Sequence, residues 1–343
     1  MKLPAPLGIS GPTAWVPTAL HTAADALSQG QVEEDAAADL GYTSLAVAEL
    51  AAPEMAVLAA RSCLAAAGVE AADVGISLHA WMHYQGHDLW SAPHYIANEL
   101  GIHDAAPVGV QQLCNGGAAA IELAAAQLFL EPSRRHALVT TADRFAAPGF
   151  DRWRSDYGIG YGDGATALLL HPLGDDGADL VLRAVNTKAA AELERMHRGD
   201  DDFSPAARWH SPHIDMRRTK KAFLQAHGIA PFAAAGRERM HDVIRASLED
   251  AGLGKNDASL RYVVLPRLGR KTLEQAYLPA IAEVAGSAEI LDLGRSTGHL
   301  GAGDPAANLA ELHGSGLLRS GEHALVINAG AGFTWSCLLV GKE

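Results

Sequence analysis

Apolar residues along the chain form two alternating patterns, short continuous runs bounded by turn residues and longer Ala/Leu-rich stretches. In the first half, residues 41–67 and 116–129 predict helices, and Gly68 closes the first of them. The runs "VGISLHAW", "PVGVQQLC", "HALVTTAD" and "GATALLLHP" predict buried strands, interrupted by the polar, aromatic segment "MHYQGHDLWSAPHY". Strands that alternate with helices in this way predict a doubly wound α/β layer.

The second half repeats this order. The strand-like run "ADLVLRAVN" leads into a polar stretch from 190 to 220, which is followed by "RERMHDVIRASLEDAG", "RYVVLP", "TLEQAYLPAIAEVAG" and "HALVINAG", a helix, strand, helix and strand. No low-complexity linker separates the halves. We therefore predict two similar βαβαβ halves, 1–175 and 176–343, joined by a turn within one compact unit.

Composition narrows the class of protein. With 343 residues, of which 48% are hydrophobic, the chain can fill two cores. The formal charge of −13 argues against a nucleic-acid partner, and we expect no signal peptide and no membrane association because an apolar run of about 18 residues is missing. Cys63, Cys114 and Cys337 are widely separated, which favours free thiols in a reducing cytoplasm over disulfides or a cysteine metal site.

The stretch "VQQLCNGGAAAIELAA" places Cys114 between an apolar strand and a Gly/Ala-rich helix. Cys114 is either a small buried filler or a nucleophile whose thiolate the helix N-terminus favours. The helix dipole contributes about 0.3 to 1 kcal/mol, less than one pKa unit, so an activated thiol also needs a basic partner. Gly116 and Gly117 allow close backbone approach, either for an oxyanion hole that includes the Cys114 N–H or for tight helix packing.

Two further Gly-rich turns complete a set of motifs. "YGDGATALLL" enters one strand, with Asp163 interpreted as a turn residue, and "NAGAGFTWSCLLV" enters the last strand, with Gly332 as the candidate second oxyanion-hole donor. In order and spacing, "CNGGAA", "YGDGA" and "GAGFTW" resemble the β-ketoacyl-acyl-carrier-protein synthase III group of the thiolase-like superfamily. The resemblance implies a five-layered α-β-α-β-α fold, a homodimer, and Cys114 as the acyl-accepting nucleophile.

The chain departs from this family at the two positions that condensing members use. Where they carry a histidine in "PHQAN", this chain has Pro266 and Arg267, and where they carry an asparagine in "GNTSA", it has His299. Together with Cys114 and Asp304, His299 forms a "GHxGxxD" pattern that resembles the synthase III-like acyltransferases of antibiotic biosynthesis, which make carbon–oxygen esters.

This replacement is chemically coherent. A histidine can take the proton of Cys114 and later that of an incoming alcohol, whereas an asparagine cannot. A carboxylate on the other imidazole nitrogen fixes the tautomer and stabilises the cation, which is the role that we assign to Asp304. Two alternatives stay open: Asp304 as the N-cap of a helix starting at Pro305, and His299 as a structural buried histidine.

Other polar clusters carry weaker interpretations. His79, His83 and His87 have a spacing that suits a metal on a helix, but the preceding strand and Gly86 argue against a helix, so we expect no metal. We assign the 79–95 loop to the acyl or acceptor pocket instead. Its expected aromatic walls are Trp81, Tyr84 and Trp90.

Basic residues are concentrated in "MRRTKKAF" and "RLGRK". On an acidic chain, these stretches can meet coenzyme A phosphates or the acidic surface of a carrier protein. A solvated charged face is an equal alternative. The predicted docking residues are Arg217, Arg218, Arg270 and Lys271.

These observations predict a ping-pong acyltransferase without a cofactor. It moves an acyl or aroyl group from an acyl-carrier-protein or coenzyme A thioester, through acyl-Cys114, to a hydroxyl of a natural-product sugar or cyclitol. The alternatives are a decarboxylative condensing enzyme in which Arg267 or His299 polarises the carbonyl, an acyl-binding priming subunit, a thioesterase, and transfer to an amine.

Overall fold

The computed structural model describes residues 1–174 and 177–343, so the predicted boundary between 175 and 176 lies outside the described residues. The strands are β1 (Leu7–Trp15), β2 (Leu20–Thr22), β3 (Ser44–Ala46), β4 (Val74–Ala80), β5 (Pro107–Val110), β6 (His136–Asp143), β7 (Gly164–Pro172), β8 (Leu180–Ala189), β9 (Leu260–Val264), β10 (Glu289–Leu291), β11 (His323–Gly330) and β12 (Thr334–Gly341).

The α-helices are α1 (Ala23–Ser28), α2 (Glu34–Leu40), α3 (Ala52–Ala67), α4 (Ala92–Leu100), α5 (Gly116–Leu130), α6 (Arg195–Arg198), α7 (Met216–His227), α8 (Ala230–Asp250), α9 (Arg270–Thr272), α10 (Leu278–Ala285) and α11 (Asp304–Gly314). A π-helical segment, Leu273–Tyr277, joins α9 to α10. Short 3-10 turns, Leu113–Asn115 and Gly301–Gly303, precede α5 and α11.

Ten strands are hydrogen-bonded in the order β10-β9-β11-β12-β8-β1-β7-β6-β4-β5. Outward from the centre, β1-β7-β6-β4-β5 and β8-β12-β11-β9-β10 have the same pairing, two antiparallel contacts followed by two parallel ones. The two sets of strands meet where residues 7–9 of β1 pair with residues 180–182 of β8. The strand order of the second half therefore repeats that of the first.

Three hydrophobic cores separate the layers of the fold. Helices α5 and α11 lie between the two sets of strands, in a core that includes Ile121 and Leu309. Helices α3 and α4 cover the outer face of the first set, and α8 and α10 cover the outer face of the second. The resulting order of layers is α-β-α-β-α.

Helix α5 is apolar on nearly all sides because sheet residues cover it from both directions. Among the described residues, the stretch Leu113–Leu130 is apolar enough to cross a membrane by length and composition, with a mean hydropathy of 1.4. Its Ala118, Ile121 and Ala124 are fully buried in the central core. A helix with this pattern is typical of the interior of a layered protein.

The helix predicted over residues 41–67 is wrong at its start. Ser44–Ala46 form β3, which pairs with β2, and α3 begins only at Ala52. Pro53 occupies the first turn, and the Glu54 carboxylate accepts the N–H of Ala51 at 2.7 Å. These are strong helix-start features that an Ala/Leu pattern alone hides.

Candidate active site

Cys114 lies in the 3-10 turn before α5, with only 7% of the residue exposed. The preceding Leu113 has a φ of 48°, a left-handed conformation that costs a non-glycine residue about 1 to 3 kcal/mol. Asn328 on β11 donates to the Cys114 carbonyl at 2.9 Å, and Asn115 donates to Ser336 on β12 at 2.9 Å. The two strands thus hold the turn in its strained conformation.

His299 and Asp304 form a buried pair near the start of α11. Nδ1 of His299 lies 2.7 Å from Oδ2 of Asp304. Asp304 also accepts the Leu300 N–H at 2.8 Å and the Arg267 N–H at 2.9 Å. Because α11 begins at Asp304 with Gly303 as its N-cap, this carboxylate serves His299 and neighbouring backbone, unlike a simple helix cap.

Burial and charge act in opposite directions on this pair. Burial disfavours protonation of His299, but the negative charges of Asp304 and Cys114 outweigh it and raise the pKa of His299 well above its ordinary value. Burial also opposes ionisation of Asp304, yet His299 holds the pKa of this carboxyl below its ordinary value. His299 is therefore a strong base beside Cys114.

The second ring nitrogen of His299, Nε2, is buried and has no hydrogen-bond partner within residues 1–174 and 177–343. The ring of Tyr161 packs edge-on against the imidazole, with 5.3 Å between the ring centroids. An unpartnered buried nitrogen is costly unless a reacting group uses it. We interpret Nε2 as the atom that exchanges protons with Cys114 and substrate.

The starts of α5 and α11 touch because Gly117 has no side chain. A Cβ at Gly117 would lie 2.3 Å from the carbonyl oxygen of Ala302, and one at Gly116 would lie 3.2 Å from the Ala302 Cβ. The two glycines therefore serve tight packing. This packing sets the separation between the Cys114 turn and the His299–Asp304 segment.

Asp143, at the end of β6, is a buried carboxyl group that sequence reasoning missed. It accepts the N–H groups of Met82 at 3.0 Å, His83 at 2.8 Å and Ala302 at 2.9 Å. Burial raises the pKa of Asp143 to about 7, although these donors act in the opposite direction. Asp143 ties the segment after β4 to the turn before α11, and its place at the end of a buried strand is the only sequence signal for it.

The other two cysteines lack such surroundings. Burial raises the pKa of Cys63 and of Cys337 to about 12. Both thiols stay protonated at neutral pH and are poor nucleophiles. Cys114 is the cysteine that faces a base.

Cys114 borders a cavity of about 670 Å³, within the range of sites for drug-sized ligands. Most of its walls are apolar side chains from α7, α8, the 270–285 segment and the turn after β11. Leu224, Phe232, Met240 and Phe333 are among these side chains, and Met82, Leu113, Ile159 and Trp335 add apolar surface from other segments. Asp156, Tyr161 and Lys220 are polar exceptions in the same wall.

The aromatic walls predicted from the 79–95 loop are wrong. In the parts of the chain that the structure describes, Trp81, Tyr84 and Trp90 do not line this cavity. Trp81 stacks on His79, and the other two are more than 40% exposed. The composition of the loop shows that it is aromatic but does not show which side of the fold its rings face.

The spaced histidines do not converge on one point. His79 is buried on β4 and lies 2.9 Å from Thr140 Oγ1, while His83 stacks on Phe145. Burial lowers the pKa of His79 and of His83 to about 4, so both are neutral. Among the described residues, no three metal-ligating side chains form a cluster.

Arg267 is turned away from the cavity. Its fully buried guanidinium donates to Asn308 at 3.0 Å, to Thr297 at 2.9 Å and to Glu311 at 2.5 Å. Only its backbone N–H reaches the site, through Asp304. The side chain is thus not placed to polarise a substrate carbonyl.

The four predicted docking residues all make contacts within the chain. Arg217 lies over the Tyr157 ring and donates to the Asp156 carbonyl at 2.8 Å, and Arg218 pairs with Asp201 through both carboxylate oxygens. Arg270 donates to the Ala38 carbonyl, and Lys271 pairs with Asp39, each at 2.6 Å. The ion pairs of Arg218 and Lys271 lower the positive charge that these two residues offer to a partner. The docking role of all four residues stays a prediction.

Gly332 lies in the turn between β11 and β12. Its φ of 126° is in the region that favours glycine. The neighbouring Ala331 and Phe333 line the cavity, so the turn borders the same space as Cys114. A donor role for the Gly332 N–H stays a prediction.

Comparison with known proteins defines the class of this site. The family model for 3-oxoacyl-[acyl-carrier-protein (ACP)] synthase III matches residues 108–189, and the model for the C-terminal part of the same enzyme matches residues 248–342. No curated protein matches the chain. The chain belongs to the 3-oxoacyl-[acyl-carrier-protein] synthase III family and is a ketosynthase III-like transferase.

Solved structures agree with this assignment. An acyltransferase, ChlB3, is 30% identical with a TM-score of 0.89, and the match covers 98% of both chains. 3-Oxoacyl-[acyl-carrier-protein] synthase III from Aquifex aeolicus VF5 is 20% identical with a TM-score of 0.75, over 98% of this chain and 99% of that one. AbyA1, a tetronic acid condensing enzyme, is 19% identical with a TM-score of 0.72, over the same shares. The predicted family, thiolase-like five-layered fold and enzyme class are confirmed.

Proposed function

We propose that this transferase moves an acyl or aroyl group from a thioester, through an acyl-Cys114 intermediate, to a hydroxyl of a natural-product sugar or cyclitol. The observation that carries the proposal is the buried His299–Asp304 pair beside Cys114. A decarboxylative condensation needs groups that polarise a malonyl carbonyl. An ester-forming transfer needs a base, and this site supplies one.

The first half-reaction transfers the acyl group to the enzyme. With the proton held on His299, the Cys114 thiolate attacks the thioester carbonyl, and a new sulfur–carbon bond forms. The bond between the carbonyl carbon and the donor sulfur breaks, and His299 gives its proton to the departing thiolate. The N–H groups of Cys114 and Gly332 are the proposed donors to the oxyanion.

The second half-reaction uses the same base. Acylation removes the negative charge of Cys114, which is one of the causes of the raised pKa of His299. Loss of that charge favours the neutral imidazole, and Asp304 keeps its tautomer fixed. Nε2 then takes the acceptor hydroxyl proton while the oxygen attacks the acyl carbon, and Cys114 leaves as a thiolate.

The donor is proposed to be an acyl carrier protein or coenzyme A thioester, docked near Arg217, Arg218, Arg270 and Lys271. A homodimer in the cytoplasm is also proposed. Support for a self-association surface comes from β5, which lies at one end of the sheet, and from its Val108, which is 40% exposed. Free Cys63, Cys114 and Cys337 suit a reducing compartment.

The test is the intact mass of the protein after exposure to a panel of acyl and aroyl thioesters, followed by a chase with candidate sugars or cyclitols. We expect one acyl mass on the wild type and on Cys63→Ala, none on Cys114→Ala, and discharge by an alcohol without release of carbon dioxide. Discharge only by a malonyl thioester, with carbon dioxide release, would identify a condensing enzyme. A stable adduct that no acceptor discharges would identify a priming subunit.

A further inference from the structure

We propose that Lys220 selects donors whose acyl group carries an oxygen substituent, a hydroxyl or keto oxygen, away from the thioester carbonyl. The inference deepens the proposed function, because it rests on an acyl group bound to Cys114 within the cavity. It concerns which acyl groups are accepted and leaves the chemistry of transfer unchanged.

A connected series of buried polar groups interrupts the apolar cavity wall. Asp156 is 1% exposed and forms a close ion pair with Lys220. Its carboxylate also accepts the Tyr157 N–H at 2.6 Å and the Tyr161 hydroxyl at 3.1 Å. With three donors, Asp156 is well satisfied, so it holds Lys220 and Tyr161 in place.

Lys220 has hydrogen-bonding capacity to spare. Its ammonium group carries three N–H donors, and Asp156 is its one hydrogen-bond partner in the described part of the chain. The side chain is only 13% exposed, so little water reaches the remaining donors. A ligand oxygen at this point would satisfy a group that is otherwise costly to bury.

His197 supplies a second unsatisfied atom in the same cavity wall. Its Nδ1 is buried without a hydrogen-bond partner among the described residues. Burial, followed by the nearby Lys220 charge, lowers the pKa of His197 to about 4, so the ring is neutral. The ring packs against Phe333, with 5.1 Å between the centroids. An acyl group here meets an aromatic wall together with a small number of polar atoms.

The position of these polar groups in the cavity favours the acyl group, rather than the acceptor, as their ligand. Tyr161 packs on His299, and its hydroxyl reaches Asp156, so the polar groups continue directly from the catalytic centre into the cavity. Cys114 borders the same cavity, so an acyl group on its sulfur has this space beside it. A polyol acceptor would leave most of its hydroxyls facing apolar walls, whereas a largely apolar acyl group with one acceptor oxygen matches them.

The test compares acylation rates of Cys114 by N-acetylcysteamine thioesters that differ in one oxygen. The panel pairs benzoyl with its three hydroxybenzoyl isomers, and hexanoyl with 5-oxohexanoyl. We expect the wild type to prefer an oxygenated member over its parent by about ten-fold or more, since a site built for a hydrogen bond disfavours the analogue that lacks it. In Lys220→Met the preference for the oxygenated member falls below about two-fold.

Two variants separate selection from folding. Lys221→Met changes the exposed neighbouring residue on α7 and should keep the preference. Lys220→Met leaves Asp156 buried without its cation, so the double variant Asp156→Asn/Lys220→Met removes both charges and should also lose the preference.

Three results would overturn the inference while acyl-Cys114 still forms. The first is equal acylation rates of the wild type within each donor pair, and the second is equal slowing of all donors in Lys220→Met. The third is an effect of Lys220→Met only on the discharge of acyl-Cys114 by the acceptor. The last result would assign the polar groups to the acceptor. No adduct on Cys114 with any donor would overturn the proposed function, and this inference with it.

Discussion

Oδ2 of Asp304 lies 2.7 Å from Nδ1 of His299 and also accepts the backbone N–H of Arg267 at 2.9 Å. Arg267 and His299 stand at the two positions where the chain departs from the condensing pattern. One carboxylate therefore links both departures. The backbone of Arg267 helps to hold the carboxylate that, in the proposed mechanism, orients His299.

Replacement of His299 by asparagine should abolish most ester formation. The amide cannot take a proton, so discharge of acyl-Cys114 by an alcohol should fall by about 10²- to 10⁴-fold. Rapid-quench mass measurements on pre-acylated enzyme would follow this step. His87→Asn, at an exposed position, is the control and should discharge normally. Unchanged discharge in His299→Asn would exclude His299 as the base.

Replacement of Asp304 by asparagine tests its role through pH. The amide retains an oxygen for backbone N–H groups but lacks the charge that raises the pKa of His299. Because the base must be neutral, the acidic limb of the discharge rate should move to lower pH, and its plateau should fall on the order of 10²- to 10⁴-fold as the tautomer is lost. A lower plateau with an unshifted acidic limb would indicate a structural role alone.

The parts of the site that follow local sequence patterns are the parts that could be predicted. A cysteine at a strand-to-helix join and a histidine five residues before an Asp-Pro helix start are visible within one segment. Asp143 and Asn328 carry no such pattern, because their partners Ala302 and Cys114 are 159 and 214 residues away along the chain. Only the folded topology brings these pairs together.

The side chains that line the cavity were also not predictable from local sequence patterns. Lys220 belongs to a basic stretch that suggested a docking surface, yet its side chain is buried against Asp156. Trp90 belongs to an aromatic loop that suggested a pocket wall, yet it is 41% exposed. Composition identifies polar or aromatic segments, and the packing of distant helices decides which side chains face the cavity.

Replacement of Gly117 by alanine should separate the two halves of the site. The added Cβ would lie 2.3 Å from the Ala302 carbonyl oxygen, so the start of α5 or the 301–303 turn must shift. We expect a loss of about 1 to 3 kcal/mol of unfolding free energy and a larger fall in acylation rate than in thioester binding. Gly314→Ala, at the end of α11 with no atom within 4 Å of the added Cβ and no positive φ, is the comparison for stability. Normal acylation in Gly117→Ala would show that the contact is not needed.

Asp143 should make stability depend on pH. Its pKa of about 7 in the fold is above its ordinary value of 3.8, so the folded state binds the proton more tightly than the unfolded state does. Its contribution is fully present below about pH 4 and is lost as the pH rises through 7. The unfolding free energy of the wild type, measured relative to Asp143→Asn by urea denaturation, should therefore decrease between pH 4 and 7. A difference that rises over this range would contradict the burial-dominated pKa.

The proposed homodimer can be tested at the edge of the sheet. Strand β5 pairs only with β4 among the described strands, and Val108 is 40% exposed on it, which leaves an apolar edge open to a second copy of the chain. A charge placed there disfavours edge pairing, so Val108→Lys should convert a dimer to a monomer in light scattering after gel filtration. Leu130→Lys, at a residue that is 79% exposed at the end of α5, controls for the loss of an exposed apolar side chain and should stay dimeric. Dimers in both variants would place the interface elsewhere, and a monomeric wild type would exclude the assembly.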